Sequence, residues 1–196
     1  MRRQIKNTES LILSNKWKYG THSEKIRETL LTEQNQICVY TETFFGRSDT
    51  RDIEHFNPNL KGTDEDGYHN WFLVKHQWNS EKSTKWEKFQ PILSPMNDDF
   101  EKRVIYEDGY YDFNIGDREA ENLIKLLKLD DLELARERKE YVNGHREDMI
   151  ELNLSAQVYF DRLMKRSPNR VYFIRAIEEE FKIKINFPES TKKISY

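Results

Sequence analysis

The run Arg51-Asp52-Ile53-Glu54-His55, followed by Asn70 and then by Asn79 and Lys82, constrains this chain more than any other feature. Arg51 to His55 alternates, with Ile53 on one side and Glu54 on the other, and then meets Asn57-Pro58. That is the pattern of a short strand delivering a histidine to a turn. Trp71 to Val74 follows a polar loop and predicts a second strand. From Asn79 the run NSEKSTKWEKF has a cap-like start, no proline and apolar residues at Trp78, Trp86 and Phe89, so a short helix is expected there. Strand, loop, strand and helix would bring residues 55, 70 and 79 together at one end of a hairpin, with His55 facing solvent.

The residue types suit the hydrolysis of a phosphodiester. In-line attack by water needs a base to take its proton and a cation to neutralise charge growing on the phosphate and the leaving oxygen. His55 is the natural base, because the unperturbed histidine pKa lies nearest neutrality. Glu54 and Asn79 are then oxygen ligands, a hard pair suited to Mg²⁺ or Mn²⁺ holding several waters. Asn70 has the donors and the acceptor to pin the loop that carries His55, and Lys82, one helical turn past Asn79, is placed to meet a phosphate.

These residues resemble the HNH endonucleases, also called ββα-metal nucleases. In that family a base histidine follows an acidic metal ligand, a central asparagine braces the loop, and a histidine or asparagine nine residues later completes the metal site, often with a lysine three further on. The pattern reads onto Glu54, His55, Asn70, Asn79 and Lys82. The wording around it is similar to the branch associated with retrons and with Septu-type phage defence: LLTEQNQICVYTE, then DIEHFNPN, NWFLVKHQWNSEK and PILSPMNDDFEKRVIYEDGYY. The resemblance covers roughly residues 28 to 142. It implies a DNA-cutting enzyme in antiviral defence, with an ATPase or a reverse transcriptase as partner.

One departure from the branch is conspicuous. Many of its members carry two CxxC pairs that build a structural zinc knuckle, whereas here the corresponding positions are Cys38 with Thr41 and Lys75 with Trp78. A single cysteine cannot make a tetrathiolate site, so no structural zinc is expected, and Trp78 is expected to fill the space by apolar packing.

Taken singly, each element has an ordinary structural reading: His55 beside Glu54 as a surface ion pair, a lone asparagine as a turn residue. It is their joint spacing that favours a site. His76, three residues before Asn79, reads as structural rather than as a ligand; His69 as a loop residue facing solvent; His22 and His145 as surface residues; Cys38, in the run Ile37-Cys38-Val39-Tyr40, as a buried thiol.

With 196 residues, 36% hydrophobic and 13% aromatic, the chain can bury one sizeable core. It has no apolar run of about 18 residues and no signal-peptide pattern, and one cysteine is compatible with a reducing cytoplasm, so a cytoplasmic protein without membrane spans is expected. The net charge of −3 argues against a protein that grips nucleic acid over a wide basic face. Charge is uneven, however: residues 1 to 27 are basic, Lys75, Lys82, Lys85 and Lys88 surround the candidate site, and residues 97 to 121 are acid-rich. Local contact with the substrate, with a partner supplying most of the binding, is the reading favoured over a merely solvated surface.

Beyond residue 115 the pattern turns helical, with starts at Gly116-Asp117, Asp130-Asp131, after Ser155, and at Pro168, the last carrying Val171, Ile174, Ile177 and Phe181. Some of these apolar stripes would suit a homodimer or partner surface. The expectation is thus an α+β protein: a basic segment over 1–29, a ββα-metal core over 30–95, and an acidic connector with a helical C-terminal part packed on the core over 96–196. Its expected activity is divalent-metal-dependent endonucleolytic hydrolysis, preferentially of DNA, with RNA as the other candidate. The competing reading is a non-catalytic nucleic-acid-binding or assembly subunit that retains the frame. A self-sufficient restriction enzyme would need a recognition module that 196 residues barely accommodate.

Overall fold

The computed structural model describes residues 1–187. Two helices precede the first strand: α1 (Leu11–Ser14), capped by the Ser10 hydroxyl, and α2 (Ser23–Glu33), which buries Ile26 and Leu30. β1 (Arg51–His55) and β2 (Trp71–Lys75) pair antiparallel, with Glu54 opposite Phe72 and His55 opposite Trp71. β2 is buried along Trp71 to Val74, as its unbroken apolar run requires. α3 (His76–Lys82) follows directly.

The helix expected over NSEKSTKWEKF is two pieces. The α-helical part begins earlier, at His76, and after Lys82 the chain continues as a 3₁₀ segment, Ser83–Phe89. The break falls at Ser83, whose φ of +36° no regular helix allows. It turns Trp86 onto Phe56, with ring centroids 5.2 Å apart and planes perpendicular. Burying an indole outweighs the weak helical preference of a short polar stretch.

A second hairpin had no counterpart among the sequence-based expectations. α4 (Phe100–Arg103) leads into β3 (Val104–Glu107), which pairs antiparallel with β4 (Tyr110–Phe113) across Asp108-Gly109. Both turn residues have positive φ, +47° and +93°. Asp-Gly between alternating strands is the sequence signal that would have found it. A side chain at Gly109 would also meet the Ala135 carbonyl at 2.7 Å.

Four helices complete the described chain: α5 (Arg118–Leu127), α6 (Leu132–Glu151), α7 (Ala156–Arg166) and α8 (Ile174–Phe181). The first three start where the sequence predicts. The Asp117 carboxylate accepts from Ala120 N at 3.1 Å and that of Asp131 from Leu134 N at 2.8 Å, each an N-cap bond, while α7 follows Ser155. The fourth begins later than expected, because Pro168–Arg170 forms only a 3₁₀ turn and Phe173 N donates to the Glu42 carbonyl at 2.9 Å. That long-range bond holds Phe173 outside the helix.

The protein is thus mixed α+β, with two two-stranded sheets among the described residues. One apolar core runs from Met1, Ile12 and Ile26 through both strands of the first hairpin to Leu123–Leu129; a second joins Ile37 to α7 and α8. Two buried arginines link the helical part to the second hairpin. Arg138 donates to the carbonyls of Gly109 and Leu129 and lies 4.5 Å over the Tyr111 ring, while Arg175 donates to the carbonyls of Met1, Glu101 and Val104. Buried guanidinium groups need such acceptors, and these bonds fix where α6 and α8 lie. Among the described residues no helix is long and apolar enough to cross a membrane.

His145, expected on the surface, is buried in α6. Its Nδ1 lies 2.7 Å from Tyr159 Oη, and Tyr159 in turn donates to Asp148 at 2.8 Å. Burial pulls the imidazole pKa down to about 4, with Asp148 opposing and Arg170 reinforcing the shift. The unfolded chain takes up this proton at about pH 6.5, whereas the native state excludes it until near pH 4. Stability is therefore complete above the unfolded pKa and is lost as pH falls through this window, at no more than about 1.4 kcal/mol per pH unit from this group. Urea unfolding across that range should show a shallower pH slope for His145→Gln than for the parent. Equal slopes would exclude His145 as the source.

Candidate active site

β1 and α3, with Tyr19, α2 and the turn after β1, enclose a cleft of about 350 Å³ whose lining includes Asp52, Glu54, His55, Asn79 and Lys82 together with Tyr19, Arg27 and Lys61. Alternation along β1 puts Asp52 and Glu54 on one face. α3, leaving β2 without a loop, lays Asn79 and Lys82 across it.

His55 does not face solvent as expected: it is 5% exposed. The Tyr19 ring stands perpendicular to it at 4.5 Å and the Trp71 indole lies 6.3 Å away. Nε2 is 3.1 Å from Asp66 Oδ2, an ion-pair approach that lacks the angle of a well-formed hydrogen bond. Asp66 is itself fixed, accepting from Trp71 Nε1 at 2.7 Å and from Gly62 N at 3.3 Å. Burial lowers the His55 pKa, and the Asp66 charge opposes that shift. The sequence reading gave Asp66 no role, since its only signal is an acid four residues ahead of Asn70.

Asn70 is buried and ties down the chain just beyond His55. Its Oδ1 accepts from Asn57 N at 2.8 Å and its Nδ2 donates to Asn57 O at 3.0 Å. Both halves of the carboxamide thus serve the backbone of one residue, while Phe56 N donates to the Asn70 carbonyl at 2.9 Å.

Lys82 is placed differently from the phosphate contact expected of it. Its ammonium is buried and donates to Glu54 Oε1, to His55 O at 2.9 Å and to Phe56 O at 2.6 Å. Three donors meet three acceptors, so none is left for a phosphate. The physical reason is Glu54: a carboxylate 4% exposed needs a paired charge, and Lys82 is the one that α3 supplies. Glu54 Oε1 also accepts from Tyr40 Oη at 3.3 Å. Burial raises the Glu54 pKa against the pull of Lys82, and burial lowers that of Lys82 against the pull of Glu54.

Asn79 and His76 meet on Asp52, a member of the β1 run to which the sequence assigned no role. Asn79 Nδ2 donates to Asp52 Oδ2 at 2.8 Å, and His76 Nδ1 lies 2.8 Å from the same oxygen. His76 is exposed and also lies 3.2 Å from the Ser80 hydroxyl through Nε2. The cleft floor thus carries two carboxylates and a carboxamide, a hard oxygen set of the kind Mg²⁺ or Mn²⁺ takes. Among the described residues no group of three or more His, Cys, Asp or Glu side chains is arranged to hold a metal ion by itself.

Of the four positions corresponding to the cysteine pairs, Cys38 and Lys75 meet. The chain from Ile37 to Phe44 folds back on itself, with Cys38 N donating to Thr43 O at 2.9 Å and Glu42 N to Cys38 O at 2.9 Å. Buried Cys38 accepts from Lys75 N through Sγ at 3.4 Å. Trp78 packs against the apolar core from the next turn, its Nε1 buried without a partner. No protein-family model, no curated protein and no solved structure matches the chain.

Proposed function

We propose that this protein is a divalent-metal-dependent endonuclease of the HNH type, with the first hairpin and α3 as a ββα-metal core. The observation that carries this reading is the convergence, in one cleft, of a buried imidazole paired with an acid and a floor of oxygen donors. Glu54 and Asn79 would hold the cation, with Asp52 beside them. Bound there, a hard divalent ion neutralises charge developing on the phosphate and on the leaving oxygen.

The chain's own residues do the rest. With Nε2 turned to Asp66, His55 uses Nδ1 to take the proton from the attacking water, and Asp66 holds the ring and steadies the imidazolium that results. A lowered pKa keeps His55 neutral, and so able to accept, at physiological pH. Asn70 keeps the residues after His55 from shifting, and Lys82 fixes Glu54. DNA is the preferred substrate; a role in phage defence, an ATPase or reverse-transcriptase partner and a homodimer rest on the resemblance and on the apolar stripes alone. The test is incubation with plasmid DNA and with RNA, in Mg²⁺ or Mn²⁺ against EDTA, beside a His55→Ala control. Metal-dependent cutting that this variant lacks is the expected result.

The two asparagines should fail in different ways. Asn79→Ala should raise the Mg²⁺ concentration needed for half-maximal cutting, whereas Asn70→Ala should lower the rate at saturating metal. Superimposable metal titrations would refute the division into ligand and brace. A second reading, a non-catalytic subunit retaining this frame, draws support from the engagement of Glu54 Oε1 by Lys82 and Tyr40. That subunit would bind nucleic acid and leave both substrates intact in every metal.

A further inference from the structure

Tyr19 stands at the mouth of the cleft, 38% exposed and perpendicular to the His55 ring. The Lys61 ammonium lies 5.3 Å over the Tyr19 ring, and Arg27 lines the same cleft with its Nε on the Arg51 carbonyl at 3.2 Å. Tyr19 and Lys61 took no part in the sequence-derived site, and Tyr19 falls outside the stretch that carries the family resemblance.

We infer that Tyr19 is a stacking platform for an unpaired nucleotide, so that the substrate is a single-stranded nucleic acid or an unpaired stretch at the scissile bond. The inference builds on the endonuclease reading for what is cut, but not for what is bound. A cation over an exposed ring is held weakly. A base stacked on an aromatic side chain contributes about 1–3 kcal/mol, so an incoming base displaces the Lys61 ammonium from the ring. The displaced ammonium, on its flexible stem, then reaches the phosphate beside that base.

A base inside a duplex is covered on both faces by its neighbours, so only a nucleotide out of the stack can lie on a ring next to the scissile phosphate. Charge points the same way. Duplex binding draws on many phosphate contacts, and among the cations lining this cleft Arg27 is paired with Glu24 and Lys82 with Glu54, which leaves Lys61 beside the ring, in a chain of net charge −3. One cation and a ring suit a short single strand.

The experiment measures binding of the purified chain by fluorescence anisotropy, in Ca²⁺ to hold cleavage down. The probes are a short single-stranded DNA, the same sequence as RNA, and the DNA as a duplex. Single strands should bind more tightly than the duplex, and Tyr19→Ala should weaken that binding roughly 5- to 150-fold, the equivalent of losing one stacked base. Tyr19→Trp should keep it, and Lys61→Ala should lower the salt dependence by about one phosphate contact. The DNA and RNA arms identify the sugar. Tighter binding of the duplex, or parental affinity in a folded Tyr19→Ala, overturns the platform. Its failure is separable from that of the nuclease: a Tyr19-dependent single-strand preference without hydrolysis in Mg²⁺ sinks only the enzyme, and metal-dependent cutting indifferent to Tyr19 sinks only the platform.

Discussion

His55→Ala is expected to reduce cleavage by about 10²- to 10⁴-fold, the usual contribution of a positioned general base, which puts activity below detection in an ordinary gel assay. Because His55 is buried beside Asp66, the substitution also leaves a small void and an acid with one partner fewer. A loss of about 1–3 kcal/mol in stability should accompany it. Melting temperature and cleavage must therefore be read together. Asp66→Asn provides the separating control: its one amide oxygen can keep the bond from Trp71, while the bond from Gly62 and the charge facing Nε2 are lost, so it should slow cutting with a smaller fall in melting temperature than His55→Ala. A folded His55→Ala protein that cuts at the parental rate would exclude His55 as the base, and with it most of the case for an HNH site.

The largest effect on stability is expected from Lys82→Met. It strands the Glu54 carboxylate in the interior and strips a donor from the carbonyls of His55 and Phe56. Breaking a buried ion pair from one side costs about 3–5 kcal/mol, far more than the pair contributes relative to a neutral isostere. The double variant Glu54→Gln/Lys82→Met should consequently recover much of the loss, and a double-mutant cycle in urea measures the coupling. The same variant decides between two placements of Lys82. If Lys82→Met unfolds like the parent but binds nucleic acid poorly, the ammonium meets phosphate and the internal pairing is wrong.

Local pattern was enough to read both strands of the first hairpin and the caps at Asp117 and Asp131. A strand's alternation and an N-cap are settled by residues within three or four positions of each other. The Asp108-Gly109 turn was equally local and equally readable. The spacing of Glu54, His55 and Asn79 marked residues that line one cleft, since strand, loop and helix lengths set that geometry, while Asn70 lies behind it on the Asn57 backbone. Tertiary structure alone decided what each side chain does there. Lys82 turns inward because Glu54, distant in sequence but adjacent across α3 and β1, is paired with no other cation among the described residues to offset its desolvation. Asp66 reaches His55, Tyr19 covers it, and His145 leaves the surface for the same reason: their partners lie far along the chain, and no periodicity records which distant groups burial will force together.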